Sequence, residues 1–254
     1  MILRKFISFI TTQTSLYLIM FKLLNPSNTF SFINTIIKHF TSLLIIILPI
    51  GLIYSLWISP VDYLQGDSVR IMYVHVPSAW LSLSCYAFIG LSSVISFLFK
   101  NKNFYLINKS LAPLGLMFTI IAIVTGSLWG QPTWGAWWAW DARLTSMLVL
   151  AFFYFFIILT YKLIPNFELS NKLASFVAII GLINLPVIKF SVDWWPTLHQ
   201  PASINITSST TIHASMLLPL LLMFAALSIY SVLIFLMKYK TEILKIKTKG
   251  LNRL

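Results

Sequence analysis

Charged residues are scarce in this sequence of 254 residues, of which 9% are Asp, Glu, Lys or Arg and 58% are hydrophobic. A soluble domain carries roughly 25% charged residues, because these supply the surface that contacts water. The mean hydropathy of +0.87 and the aromatic content of 15% agree with this shortage. The composition therefore excludes a soluble globular enzyme and predicts an all-α integral membrane protein.

Cysteine and nucleotide-binding motifs are also missing. The single cysteine, Cys85, excludes an intramolecular disulfide framework and a cysteine-clustered zinc or iron–sulfur site. Its apolar surroundings predict a small buried hydrophobic residue. The sequence has no Walker motif and no Rossmann glycine pattern, so we do not expect this chain to hydrolyse ATP itself.

Long uncharged stretches predict the membrane spans, since about 20 apolar residues cross the hydrocarbon core. Six stretches qualify: 40–59, 79–99, 111–129, 144–161, 173–190 and 213–237. They divide the chain into an N-terminal segment 1–39, a membrane domain 40–237 and a basic tail 238–254. The apolar part of segment 1–39 is interrupted by TTQTS, which favours a helix lying in the interface over a seventh span. No cleavable signal peptide is expected there.

The basic residues predict the orientation of these spans. Of 18 Lys and Arg residues, all but Arg70, Arg143 and Lys189 fall in segments on one side of the predicted bilayer. The positive-inside rule then places both termini inside, in a matrix or a cytoplasm. The net charge of +12 thus describes orientation, and no nucleic-acid partner is expected.

Tryptophan is concentrated in one outer loop. Five of the nine tryptophans fall there: Trp129, Trp134, Trp137, Trp138 and Trp140. Trp134, Trp137, Trp138 and Asp141 follow the i, i+3, i+4, i+7 spacing of one helix face, which predicts a short amphipathic helix on the outer surface. It would offer an aromatic platform edged by Asp141 and Arg143. Spacing alone leaves a ligand platform and an ordinary interfacial aromatic belt equally open.

Histidines narrow the choice. His75 and His199 both fall in predicted outer loops, next to aromatic residues and proline, and His213 begins the last predicted span. Neutral imidazole is a common metal ligand and an axial ligand of haem iron. Zinc is less suitable, because no cysteine or helically spaced glutamate accompanies the two loop histidines. From the residues alone, a structural and a ligating role stay open for both.

The motifs together resemble a known family. WGAWWAWDARLTS resembles the tryptophan-rich WWD motif (here 129–145) of haem-handling proteins. With VDYLQGDSVRIMYVHVPSAW before it and INLPVIKFSVDWWPTLHQ after it, the chain resembles the cytochrome c maturation protein C family over residues 40–237. The WWD motif alone is shared with haem lyases, but the size, the six spans and the two histidine motifs favour the maturation protein.

The resemblance implies specific functions. Haem b would bind transiently and non-covalently at the outer face between the WWD motif and two axial iron ligands, His75 and His199. The chain would then deliver the haem to a membrane-anchored haem chaperone, as a non-ATPase subunit of an ABC-type complex and without enzymatic activity. Independently of the resemblance, Arg143 can pair with a haem propionate, and we expect Asp141 to bind Arg143 or an indole N–H.

Two alternative functions and a cellular location are also predicted. The chain could instead be a haem lyase of the WWD superfamily, which attaches haem to apocytochrome c, or a permease for haem or a small solute. Lys is much commoner than Arg in this chain, as in many AT-rich organellar genomes. We therefore expect a mitochondrial inner membrane with the site facing the intermembrane space. A bacterial plasma membrane with a periplasmic site is the alternative.

Overall fold

The computed structural model describes residues 26–99, 103–200 and 212–251, which are almost entirely helical. The helices are α1 (Pro26–Ile53), α2 (Met72–Phe99), α3 (Asn103–Trp134), α4 (Ala142–Leu163), α5 (Phe167–Gly181), α6 (Asn184–Trp194) and α7 (Ala214–Leu251). A π-helical turn, Tyr54–Ile58, extends α1, and a 3-10 turn, Asp67–Ile71, precedes α2. Within these ranges the only β pairing is an isolated bridge between Asp62 and Gly66.

Six helical segments are long and apolar enough to cross a membrane, so the predicted all-α fold with six spans is confirmed. The segments are Phe30–Ile58, Asp67–Leu98, Phe104–Trp134, Ala142–Leu163, Phe167–Trp194 and Ala214–Thr248. Each is longer than the uncharged stretch that predicted it, because the helices continue into their polar flanks. The first helix begins at Pro26, whereas the predicted interfacial helix before it lies in 1–25, outside the described residues.

The fifth span consists of two helices. α5 ends at Gly181 and α6 begins at Asn184, whose side-chain Nδ2 donates to the Ser146 carbonyl of α4 at 2.8 Å. The backbone stays hydrogen-bonded through the break, since the Leu182 N–H donates to the Ile179 carbonyl at 3.2 Å and the Ile183 N–H donates to the Ile180 carbonyl at 3.1 Å. Backbone groups at membrane depth need such partners because lipid supplies none. Leu182, at the break, packs against Gly90 of α2, where a Cβ would lie 2.3 Å from a Leu182 methyl carbon.

Aromatic side chains and small residues form the core between α2, α3 and α4. Tyr86 and Tyr154 are fully buried, with ring centroids 5.0 Å apart in an edge contact. Gly115 leaves the space for Tyr154, since a Cβ there would lie 2.2 Å from the Tyr154 ring. Tyr154 donates to the Ser82 carbonyl at 2.7 Å, which satisfies its hydroxyl away from water. Small residues permit this close helix packing in membranes.

The two ends of the bundle differ in composition. At one end the first and last helices meet, where the Lys240 ammonium donates to Asn34 Oδ1 at 2.6 Å. At the other end lie residues 54–71, 129–143 and 194–200, together with the start of α7. The histidine and tryptophan motifs therefore converge at a single end of the molecule.

Candidate functional site

His75 is held by two helices. It lies in the first turn of α2, not in a loop as the sequence predicted, and its Nδ1 is 3.1 Å from the Thr125 hydroxyl on α3. The single hydroxyl proton of Thr125 is donated to the Ile121 carbonyl at 2.6 Å, so the hydroxyl oxygen accepts from His75. The proton on Nδ1 leaves Nε2 with a free lone pair, which is the form of imidazole that binds a metal.

A glycine lets His75 approach α3. A Cβ on Gly126 would lie 3.0 Å from His75 Cε1, closer than an ordinary van der Waals contact. On the same helix, the Trp129 ring meets the His75 ring edge-on, with centroids 5.8 Å apart and an interplanar angle of 76°. The Trp129 indole N–H donates to Gln65 Oε1 at 2.8 Å, which orients the indole.

His199 is tied to the start of α4 through Asp141. Asp141 Oδ1 accepts from the Leu144 N–H at 2.8 Å, which makes Asp141 the N-cap of α4. Asp141 Oδ2 accepts from the Thr197 hydroxyl, and Thr197 Oγ1 accepts from the His199 backbone N–H at 3.1 Å. The hydrogen bond expected from Arg143 or an indole N–H to Asp141 is not found within the described ranges, and Asp141 accepts from Leu144 and Thr197 instead.

The two histidine rings lie close together. Their centroids are 6.4 Å apart and their planes differ by 33°. The Trp134 ring also contacts His199, with centroids 6.3 Å apart and planes tilted by 58°. A pair of imidazoles at this end of the bundle is therefore accompanied by two tryptophans, Trp129 beside His75 and Trp134 beside His199.

His199 has two competing hydrogen-bond partners. Its Nδ1 is 3.1 Å from Arg143 Nη1, a donor, and 3.0 Å from the Gln200 carbonyl, an acceptor. One nitrogen cannot accept from the first and donate to the second at once, so each partner selects a different tautomer. Only donation to Gln200 leaves Nε2 free to bind a metal. Burial, followed by the Arg143 charge, lowers the pKa of His199 and so favours the neutral ring.

Two buried donors in the segment 138–143 have no acceptor in the described chain: Arg143 Nε and the Trp138 indole nitrogen. The Arg143 guanidinium also donates through Nη2 to the Lys189 carbonyl at 3.2 Å. Unpaired buried N–H groups are uncommon in proteins, and an acceptor from outside the chain would satisfy these two. A carboxylate at Arg143 is the acceptor that suits a guanidinium best.

The predicted helix over Trp134–Asp141 is wrong. α3 ends at Trp134, Gly135 adopts a positive φ of 73°, and residues 136–141 are irregular before α4 begins. The spacing fits a helix face, but a left-handed glycine ends a helix, and seven residues are too few to start a new one between two long helices.

The remaining tryptophans therefore form no flat platform. Trp138 and Trp140 contact each other edge to face, with centroids 5.6 Å apart. Trp137 and Trp140 are largely exposed, at 60% and 78%. Of the five predicted site tryptophans, the structure brings Trp129 and Trp134 against the histidine rings and leaves Trp137 and Trp140 at the surface.

The other two histidines have no part in this arrangement. His213 Nδ1 accepts from the Ser215 N–H at 3.3 Å, and the His213 carbonyl accepts from the Met216 N–H at 2.9 Å. These bonds satisfy free groups in the first turn of α7, which is a helix-capping role. His39 lies on α1, close to the opposite end of the bundle.

Three supporting residues, Gln65, Thr125 and Thr197, were not predicted from the sequence. Thr125 could have been found, because it precedes Trp129 by four residues and therefore lies on the same face of α3. Gln65 and Thr197 carry no comparable signal, since their roles depend on how the loops fold against the helices.

Comparisons with known proteins agree on one family. A sequence model of the family described as "Heme exporter protein C" matches residues 19–253. A ccmC-like mitochondrial protein of Marchantia polymorpha, named for cytochrome c biosynthesis, is 46% identical over 190 residues, or 75% of this chain and 80% of that protein. A protein of Bradyrhizobium diazoefficiens named "Heme exporter protein C" is 37% identical over 230 residues, or 91% and 87% of the two chains. One of that name from Haemophilus influenzae is 40% identical over 207 residues, or 81% and 84%.

Proposed function

The chain belongs to the heme exporter protein C family, and on this basis we propose that it binds haem between His75 and His199 and delivers it for cytochrome c maturation. The observation that carries the proposal is the separation of 6.4 Å between the two ring centroids. Imidazole nitrogens bind metals at about 2.0–2.1 Å and lie about 1.1 Å from their ring centroid, so two axial imidazoles on one metal have centroids about 6.3 Å apart. The observed separation fits a pair of axial ligands.

The surrounding residues suit haem as a cargo. The lone pair on His75 Nε2 is fixed by the hydrogen bond of Nδ1 to Thr125, and the ring is positioned by Trp129. Trp134 offers an aromatic surface next to His199. The unpaired Arg143 Nε–H and Trp138 N–H are donors for the carboxylates of the propionates.

Arg143 has a second role in this proposal. While its guanidinium donates to His199 Nδ1, the proton of that ring belongs on Nε2 and the ring cannot bind iron. A propionate that binds the guanidinium removes this donor, and His199 Nδ1 then donates to the Gln200 carbonyl. Binding of a propionate to Arg143 therefore favours the His199 tautomer that can bind iron.

The family and its relatives support a proposal for delivery and location. We propose that haem b is bound transiently and passed to a membrane-anchored haem chaperone, with this chain as a non-enzymatic, non-ATPase subunit of an ABC-type complex. The location proposed is the mitochondrial inner membrane, with the site facing the intermembrane space. The similarity to a mitochondrial protein of Marchantia polymorpha and the basic residues at the opposite end of the bundle support it.

The test compares two double variants in purified protein. His75→Ala with His199→Ala should abolish the bis-histidine haem spectrum and haem retention, while His213→Ala with His39→Ala should leave both unchanged. Circular dichroism confirms that the variants are folded. Undiminished haem in the first variant would refute the ligand assignment. Thioether formation on apocytochrome c by this chain alone would favour the lyase alternative.

A further inference from the structure

A groove opens at the end of the bundle opposite the histidines. Its volume is about 570 Å³, and it lies between α4 and α7 with α3 as its floor. The part nearer the centre of the bundle is apolar and is lined by Pro113, Ile158 and Ile234, one from each of the three helices. Because these helices cross the membrane, the apolar part of the groove lies where hydrocarbon chains would be.

The rim of the groove is strongly cationic. Four lysines line it, Lys109, Lys162, Lys238 and Lys245, against a single carboxylate, Glu242. Glu242 is paired twice, with Lys109 at 2.8 Å and with Lys245 at 2.7 Å. Lys162 and Lys238 have no acidic partner within the described ranges. The groove therefore carries an excess of positive charge, and its carboxylate is already neutralised.

The pairs with Glu242 also arrange the rim. Lys109 on α3 and Lys245 on α7 are both held by the same carboxylate, so a bridge across two helices fixes their ammonium groups. A ligand that binds such a rim loses less free energy in ordering side chains. Lys162, in the last turn of α4, supplies a further charge from the other wall.

We propose that this groove binds an anionic phospholipid of the bilayer, with the phosphate at the lysines and an acyl chain along the apolar wall. The charge complementarity selects an anionic headgroup, and basic pockets between transmembrane helices on the inner side of a membrane are suited to such headgroups. A soluble anion would contact only the rim, whereas a phospholipid also covers Ile158 and Ile234. This site is independent of haem binding.

The test uses the full-length protein in nanodiscs of phosphatidylcholine with or without phosphatidylglycerol. Native mass spectrometry after release counts the retained lipid, and we expect wild-type protein to retain phosphatidylglycerol selectively. One basic residue near an anionic membrane surface contributes a factor of about five to binding, so Lys162→Gln with Lys238→Gln should lower retention about 25-fold. The matched control is Lys172→Gln with Lys247→Gln, which removes the same charge outside the groove and should retain the lipid.

A second variant tests the apolar part of the groove separately from the lysines. Ile158→Trp fills the apolar part and leaves all lysines in place, so it should also lose phosphatidylglycerol, with an unchanged melting temperature in phosphatidylcholine. The proposal would be overturned if the control variant lost as much phosphatidylglycerol as the groove variants. It would also be overturned if the wild-type protein retained phosphatidylcholine as well as phosphatidylglycerol. Displacement of the lipid by inorganic phosphate would assign the rim to a free anion and overturn it too.

Discussion

The hydroxyl of Thr125 should control the haem affinity of His75. Thr125→Val keeps the shape of the side chain but removes the acceptor for the Nδ1–H, which is 3.1 Å away. The ring then keeps its contacts with Trp129 and Gly126 but loses the side-chain hydrogen bond that favours the proton on Nδ1. Thr125→Ser retains a hydroxyl at the same position and should behave like the wild-type protein.

The expected loss of haem affinity in Thr125→Val can be estimated from this one hydrogen bond. A buried donor left without an acceptor costs about 1–3 kcal/mol, and a tenfold change in affinity corresponds to about 1.4 kcal/mol. Loss of a hydrogen-bond partner behind a metal-binding histidine typically lowers affinity about 10–100-fold. The two estimates overlap, so Thr125→Val should raise the haem dissociation constant about tenfold to a hundredfold.

Haem titration followed by absorbance, with competition by apomyoglobin, measures this change. Thr133→Val is the matched control, because Thr133 is also on α3 and its hydroxyl donates only to backbone carbonyls, to Trp129 at 2.7 Å and to Gly130 at 3.3 Å. A haem affinity of Thr125→Val within twofold of wild type would refute the role assigned to this hydroxyl. So would equal losses in Thr125→Val and Thr125→Ser.

Three further substitutions test the arrangement around the histidines. Asp141→Ala removes the N-cap of α4, worth about 1 kcal/mol, together with the Thr197 contact. The melting temperature should fall, and Asp141→Asn should restore most of it; equal melting of both variants would contradict the capping role. Arg143→Gln should weaken haem binding in a titration while the bis-histidine spectrum persists, and loss of that spectrum would show that His199 depends on Arg143 for ligation. Gly126→Ala places a Cβ 3.0 Å from His75 Cε1, so haem retention should fall in a competition assay, and unchanged retention would show that the ring has room to shift.

The features of the fold that depend on composition could be predicted from the sequence. Those that depend on the local conformation of the backbone could not. Six spans follow from apolar length, and the structure has them. The break at Leu182–Ile183 could not be predicted, because the residues on both sides are apolar and the sequence there resembles one continuous span. It is visible only once Asn184 is seen to donate to α4.

At the site, residue type was more informative than periodicity. His75 and His199 were singled out by chemistry and flanking motifs, and the structure brings their rings together. The helical spacing of Trp134–Asp141 was misleading, because Gly135 ends the helix with a positive φ. The role of Asp141 as a helix cap depends on where α4 begins, and the sequence could not fix that residue.

The broken fifth span has a mechanical consequence for the site. α6, which leads to His199, packs on α4 and is bonded to it through Asn184, while His75 is carried by α2 against α3. The two imidazoles therefore belong to different pairs of helices, and the contact of α3 with α4 is one of those that set the gap between them. There Gly115 accommodates the ring of Tyr154 with no space for a Cβ. A single methyl group at Gly115, deep in the bundle, should thus widen the distance between the His75 and His199 rings at the far end of the molecule.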